Sequence, residues 1–320
     1  MIPIKGWGVD HGDGECVGGR PPQHINPNNT MPFTFLNFNQ KLFFGDSQDD
    51  AVLSLGSSKV INLGGGNNTI YSFGTNNTAT SGSGDDRFYM IGGDQTIVST
   101  GGDNTAITSS GDDRIIFSNQ IGGNDYVRSG SGEDVIYTSG GDDEVHSGAD
   151  NDQVYLGSGN DTAYLGSGDD VAYAGTGTDL IDGEDGNDTI SGLHSKGNKT
   201  FFGRAGDDTL TGGVHNDYLD GGADADVLTG NEGFNIYWGG DDADVFRIGR
   251  GVDLIEDFNL AEGDTIEMVE PIASICASVS AHVVNYSGTL VNGQSISGSI
   301  VCETENQARD FYFNWMPQAS

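Results

Sequence analysis

LGSGNDTAY, LGSGDDVAY and AGTGTDLID follow one another without a break from Leu156 to Asp182. Each unit has nine residues. Position 2 is Gly, position 4 is Gly, position 6 is Asp, and position 8 is a small or branched apolar residue. The same beat runs outward from about Gly45 to Ile248. After Asp113, position 6 falls on Asp125, Asp134, Asp143, Asp152, Asp161, Asp170, Asp179 and Asp188. An irregular unit around Gly192 to Phe202 intervenes, and the beat resumes at Asp208, Asp217, Asp226, Asn235 and Asp244. Position 8 keeps pace from Val52 to Phe246. Two columns held in phase over so many units mean a solenoid rather than a compact globule.

Each unit reads as a turn followed by a short strand. Glycine at positions 2 and 4 supplies turn conformations that a Cβ forbids. In an extended segment position 8 points one way and positions 7 and 9 the other. The position-8 residues are too small for a wide core, but two facing columns fill a thin one. The expected fold is all-β: a parallel β-roll of about eleven coils of eighteen residues, with two sheets back to back and caps at both ends.

The pattern G-G-x-G-x-D-x-U-x resembles the RTX (repeats-in-toxin) calcium-binding family, whose nonapeptides form a β-roll. The resemblance implies Ca2+ between turns on the same edge of adjacent coils. It implies ligands at Asp113, Asp125, Asp134, Asp143, Asp152, Asp161, Asp170, Asp179, Asp188, Asp208, Asp217, Asp226 and Asp244. Partners are then two units apart: Asp134, Asp152, Asp170 and Asp188 on one edge, continuing to Asp208, Asp226 and Asp244. Asp125, Asp143, Asp161 and Asp179 lie on the other, continuing to Asp217. The chemistry agrees with the resemblance. Stacking like-charged carboxylates beside unpaired turn carbonyls is unstable without a cation. Calcium accepts six to eight oxygen ligands at roughly 2.3–2.6 Å, whereas magnesium is stricter and zinc wants Cys or His, which do not recur with the period. The alternative is a set of solvated turn aspartates.

The first third departs from the pattern. Lys59, Asn68, Asn77, Gln95 and Asn104 stand where Asp is expected, with Asp50 and Asp86 among them. An amide brings no charge and Lys59 brings a cation, so strong calcium sites are expected only from about Asp113 onward, with Asn side chains bonding coil to coil before it.

The chain has 320 residues and a net charge of −35, from 13 Lys and Arg against 48 Asp and Glu. Such a surface disfavours nucleic acid as a partner, because phosphate binding needs a basic footprint. It also predicts a chain that is loose in low calcium and folds on binding it. No apolar segment is long enough to span a bilayer, and MIPIKGWGVDHGDGECVGG has no apolar signal-peptide core. The family resemblance implies export through a type I channel by a C-terminal signal, hence an extracellular or bacterial cell-surface location.

Residues 1–44 are non-repetitive and hold five of the seven prolines. They end in an apolar cluster from Phe33 to Phe44, read as a cap or an assembly arm. Residues 45–248 are the roll. Residues 249–269 contain Asp253, Ile255, Asp257, Phe258, Asp264 and Ile266, which resemble the D-x-I-x-D-F segment that closes RTX rolls. Residues 270–320 read as a small β unit, either a cap, an assembly module or part of an export signal. Cys276 and Cys302 lie in strand-like runs where a disulfide is one option, leaving Cys16 over.

No catalytic constellation emerges: there is no H-E-x-x-H, G-x-S-x-G or P-loop. Asp10, His11, Asp13, Glu15 and Cys16 form one acidic group that reads as a polar loop or a lone metal site. Position 9 places Tyr137, Tyr155 and Tyr173 on one face, and Tyr71, Tyr89 and Tyr164 on the other. These read as cross-coil packing or as an exposed stripe for another roll or a glycan. The chain is therefore expected to be a self-assembling structural protein of a filament, surface layer or matrix, or else an adhesin or glycan-binding module, rather than an enzyme.

Overall fold

The computed structural model describes residues 33–118, 122–193, 195–270, 272–280, 283–302 and 307–308. The Asp10–Cys16 group and the aromatic tail Phe311, Tyr312, Phe313 and Trp315 lie outside the described residues.

The chain winds into a parallel roll. Among the described residues the strands alternate between two sheets along the sequence as far as Thr265–Met268, and the sheets hold 16 and 13 strands in all. Within the roll, successive strands of a sheet pair in parallel with a constant register, for example Glu144↔Thr162, Val145↔Ala163 and His146↔Tyr164. Opposite them, Gln153↔Val171, Val154↔Ala172 and Tyr155↔Tyr173 pair in the second sheet. At about 4.8 Å per coil, the stack is about 60 Å long.

The second sheet's 13 strands mark thirteen coils, where the sequence reading expected about eleven. The difference lies at the two ends. Phe33–Leu36 and Leu42–Phe44 pair in parallel with Ala51–Leu55 and Val60–Asn62, adding a coil ahead of Gly45. Gly251–Phe258 and Thr265–Met268 add another beyond Ile248. Neither coil carries the full Gly-Asp signature, but backbone pairing needs only extended segments of the right length beside an open edge.

Position-8 side chains are the core. Val127, Ile136, Val145, Val154, Ala163 and Ala172 are fully buried, as are their counterparts along the roll. Position 1, two residues further on, points the same way and adds Leu63, Phe117, Leu156, Leu165 and Ala174. The insertion after Ser191 returns to phase at Lys199–Ala205, with Phe201 buried in position 8.

The turns approach each other closely enough to demand glycine. Gly177 has φ +134°, and a Cβ there lies 1.5 Å from the carbonyl oxygen of Gly159 one coil away. Gly177→Ala is expected to lower the melting temperature in calcium by several degrees, from at least ~2 kcal/mol of strain. Thermal unfolding followed by circular dichroism checks this, and an unchanged midpoint contradicts the close stacking.

At the far end Ser295–Cys302 pairs in parallel with Gly251–Phe258. Val283–Leu290 and Ile272–Ser280 extend that sheet antiparallel. This unit prolongs only the larger sheet. Cys276 lies opposite Ser287, and Ser287 lies opposite Ser297, five residues along the strand from Cys302, so the two cysteines are roughly 20 Å apart, far beyond the ~7 Å reach of a disulfide. Cys302 is a buried free thiol.

Candidate metal centre

The position-6 side chains form two ladders, one on each edge of the roll. In most rungs a backbone N–H donates to the Oδ1 of the residue one coil further on. On one edge Asp113 donates to Asp134, Asp134 to Asp152, Asp152 to Asp170 and Asp170 to Asp188, at 2.6–2.8 Å. Asp188, Asp208 and Asp226 continue it to Asp208, Asp226 and Asp244 at 2.7–2.9 Å. On the other edge Asp125 donates to Asp143, Asp143 to Asp161 and Asp161 to Asp179, at 2.8–3.1 Å. The two-unit spacing thus brings together the partners expected from the sequence, and the insertion before Asp208 leaves the edges unchanged.

All thirteen aspartates are buried. Their second oxygens tell them apart. Oδ2 has no hydrogen-bond partner in Asp113, Asp125, Asp134, Asp143, Asp152, Asp161, Asp170, Asp188, Asp208, Asp226 and Asp244. Oδ2 of Asp179 instead accepts from Lys199 Nζ, and Oδ2 of Asp217 accepts from the Gly213 N–H at 2.7 Å.

An unpaired buried carboxylate oxygen is costly, and burial raises the proton affinity of such a group. Burial, aided by like charges on adjacent turns, pushes Asp125, Asp152, Asp188 and Asp226 up to about 8. Burial likewise pushes Asp113, Asp161, Asp208 and Asp244 up to about 7. A divalent cation among the oxygens removes this penalty. The space for it exists: at position 1 of its unit, Gly221 leaves open a spot where a Cβ would lie 2.0 Å from Asp226 Oδ2.

Among the described residues no three His, Cys, Asp or Glu side chains cluster as a metal site. Each turn offers one carboxylate and its backbone carbonyls. That donor set is all oxygen and mostly neutral, which suits calcium and not zinc.

Three ladder residues escape the strict beat. Lys199 holds position 6 in the irregular unit, and its N–H donates to Asp217 Oδ1 at 2.7 Å. The signal was Lys199 standing two before an apolar Phe201 and eighteen before Asp217. Asp253 and Asp264 end the two ladders in the last coil, where Asn235 Nδ2 reaches Asp253 Oδ1 at 3.0 Å and the Asp244 N–H reaches Asp264 Oδ1 at 3.0 Å. In the first coils the amides do bond coil to coil, as with Asn68 Nδ2 to Asp86 Oδ1 at 2.8 Å.

Outside the ladders the aromatic side chains stack. Tyr137–Tyr155 and Tyr155–Tyr173 have ring centroids 4.4 and 5.0 Å apart and stack with their planes nearly parallel. On the opposite sheet Tyr71 stacks on Tyr89 at 4.9 Å, and Tyr164 on His146 at 4.9 Å.

The family model of the RTX calcium-binding nonapeptide repeat, which spans four copies, matches residues 60–88, 91–120, 121–154, 155–190, 196–228 and 220–255, more than half of the chain. No curated protein matches the chain.

Proposed function

The chain belongs to the RTX calcium-binding nonapeptide-repeat family, and from that premise we propose a secreted, calcium-stabilised structural protein that assembles with copies of itself outside the cell. RTX repeats bind calcium, and their proteins are usually secreted and typically structural or toxin-like rather than catalytic. No helix among the described residues is long and apolar enough to cross a membrane.

In this reading the eleven aspartates with an unpartnered Oδ2 supply the charged ligands. Calcium neutralises the stacked carboxylates and ties each coil to the next. Residues 45–248 are the ion-binding body, residues 1–44 and 249–269 its flanks, and residues 270–320 an assembly or export module.

The observation that carries self-assembly is the apolar character of the first coil. Phe33 and Phe38 are 61% and 71% exposed, and Phe35 and Phe44 are exposed beside them. Among the described residues the outer edges of Phe33–Leu36 and Leu42–Phe44 have no strand partner. Open parallel edges with apolar side chains favour pairing with another chain. Electron microscopy of the purified protein is expected to show filaments or sheets in calcium that disperse on chelation. Single rods at all concentrations overturn the proposal.

The second reading is an adhesin or glycan-binding module, favoured by the flat stack Tyr137–Tyr155–Tyr173 with Tyr173 exposed. Tyr155→Ser breaks that stack at its middle ring. On a glycan array this reading expects the variant to lose a signal that the parent has, and equal signals sink it.

A further inference from the structure

The turn Gly175–Asp179 is closed by an amino group. Lys199 Nζ donates to the carbonyl oxygens of Gly175 and Gly177, both at 2.8 Å, and to Asp179 Oδ2 at 2.5 Å. These are positions 2, 4 and 6 of the unit AGTGTDLID. The neighbouring turn on that edge offers Asp161 Oδ2, which has no partner. Both side chains of the Lys199–Asp179 pair are fully buried. An ammonium has three donors and no acceptor, and here each donor has an oxygen. A buried charge persists only with such pairing.

Other nitrogen-bearing side chains at position 6 behave alike. Lys59 Nζ donates to the carbonyls of Asn37, at 2.5 Å, and Gln40. Gln95 Nε2 donates to the carbonyls of Gly74 at 2.7 Å, Gly92 at 3.0 Å, and Gly93. Asn68 Nδ2 and Asn104 Nδ2 donate to the carbonyls of Gly66 and Gly102 at 2.9 and 3.0 Å, and each also reaches the next Asp of its ladder. Asn77 is the exception, since its Nδ2 finds no acceptor. Towards the other end Asn235 Nδ2 and Tyr237 Oη both donate to Asp253 Oδ1, at 3.0 and 3.2 Å.

We propose that these side chains replace calcium turn by turn, Lys199 as a resident cation, so that the coils from Phe33 to Ile107 hold their fold without calcium while the coils after them require it. The proposal rests on the calcium reading of the remaining turns. It makes the two edges unequal. On the edge of Asp125, Asp143 and Asp161, ion-type turns stop where Lys199 begins. On the other edge they run from Asp113 to Asp244. The first coils then form a standing template, and each calcium-dependent coil is added to an edge already in register, which lowers the cost of starting a solenoid.

Hydrogen exchange on the full chain in chelator at neutral pH tests the block structure. Protected amides are expected in the strands from Ala51 to Ile107, with rapid exchange in those from Tyr126 to Ser191; uniform exchange along the roll overturns it. Native mass spectrometry in calcium tests Lys199 itself. Lys199→Asp restores the repeat and is expected to bind one more ion than the parent, and an equal count overturns the substitution. Should that variant not fold, Lys199→Met serves: it is expected to bind no additional ion and to melt at a lower temperature, and an unchanged melting point overturns the clamp. A parent chain that binds no calcium sinks the calcium reading, whereas a parent that binds it beside a Lys199→Asp variant with no gain sinks only the replacement.

Discussion

Chelation at neutral pH is expected to remove most of the far-UV β signal and to lower the apparent stability more than any single substitution. Eleven buried carboxylates carry an oxygen with no protein partner. One site filled at a hundredfold excess over its dissociation constant contributes about 2.7 kcal/mol. Several such sites filled together exceed a typical net stability of about 5–15 kcal/mol. The ion term therefore exceeds the margin by which a domain normally stays folded. Titrating calcium back should restore the signal cooperatively, because each coil buries its inner face only against its neighbours. A circular dichroism spectrum indifferent to chelator contradicts this account of the ladders.

Acid is expected to act in opposite directions with and without calcium. Without the ion, burial raises the ladder aspartates from the ordinary carboxylate value of about 3.9. Asp134, Asp143 and Asp170 rise to about 6, Asp161 and Asp208 to about 7, and Asp152 and Asp188 to about 8. The folded state then binds more protons than the unfolded chain. Its stability contribution is fully present below about pH 4 and is lost as pH rises through about 6 to 8. In chelator, β structure should therefore appear on acidification from pH 8 to pH 5. In calcium the carboxylates are held ionised, so their contribution is present at neutral pH and is lost as acid displaces the ion. Two pH titrations followed by circular dichroism, one with calcium and one with chelator, decide it. A chelator curve flat from pH 5 to 8 removes the buried unpaired carboxylates as its cause, and a calcium curve of the same slope removes the ion.

Much of this was legible because the repeat writes its structure one turn at a time. Asp at position 6 and an apolar residue at position 8 place a ladder carboxylate and a core side chain within three residues of each other, so burial of Ala163 and the ladder position of Asp161 follow from one local pattern. The ends were harder. Phe33–Leu36 joins the roll through pairing with Ala51–Leu55, and a run of phenylalanines without turn glycines does not announce a coil. Lys199 was hidden in an irregular unit, and a lysine in an acidic turn reads as a defect until its Nζ is seen on three oxygens.

By itself the sequence determined the period, the two-column core, the two acidic edges and the need for an oxygen-loving divalent ion, since each arises from contacts within one or two turns. Only the tertiary structure decided which carboxylate oxygens are left without a protein partner, which are taken by Lys199 or Gly213, and how many coils the described residues form. Those depend on what lies one coil away, about 4.8 Å in space but eighteen or more residues along the chain.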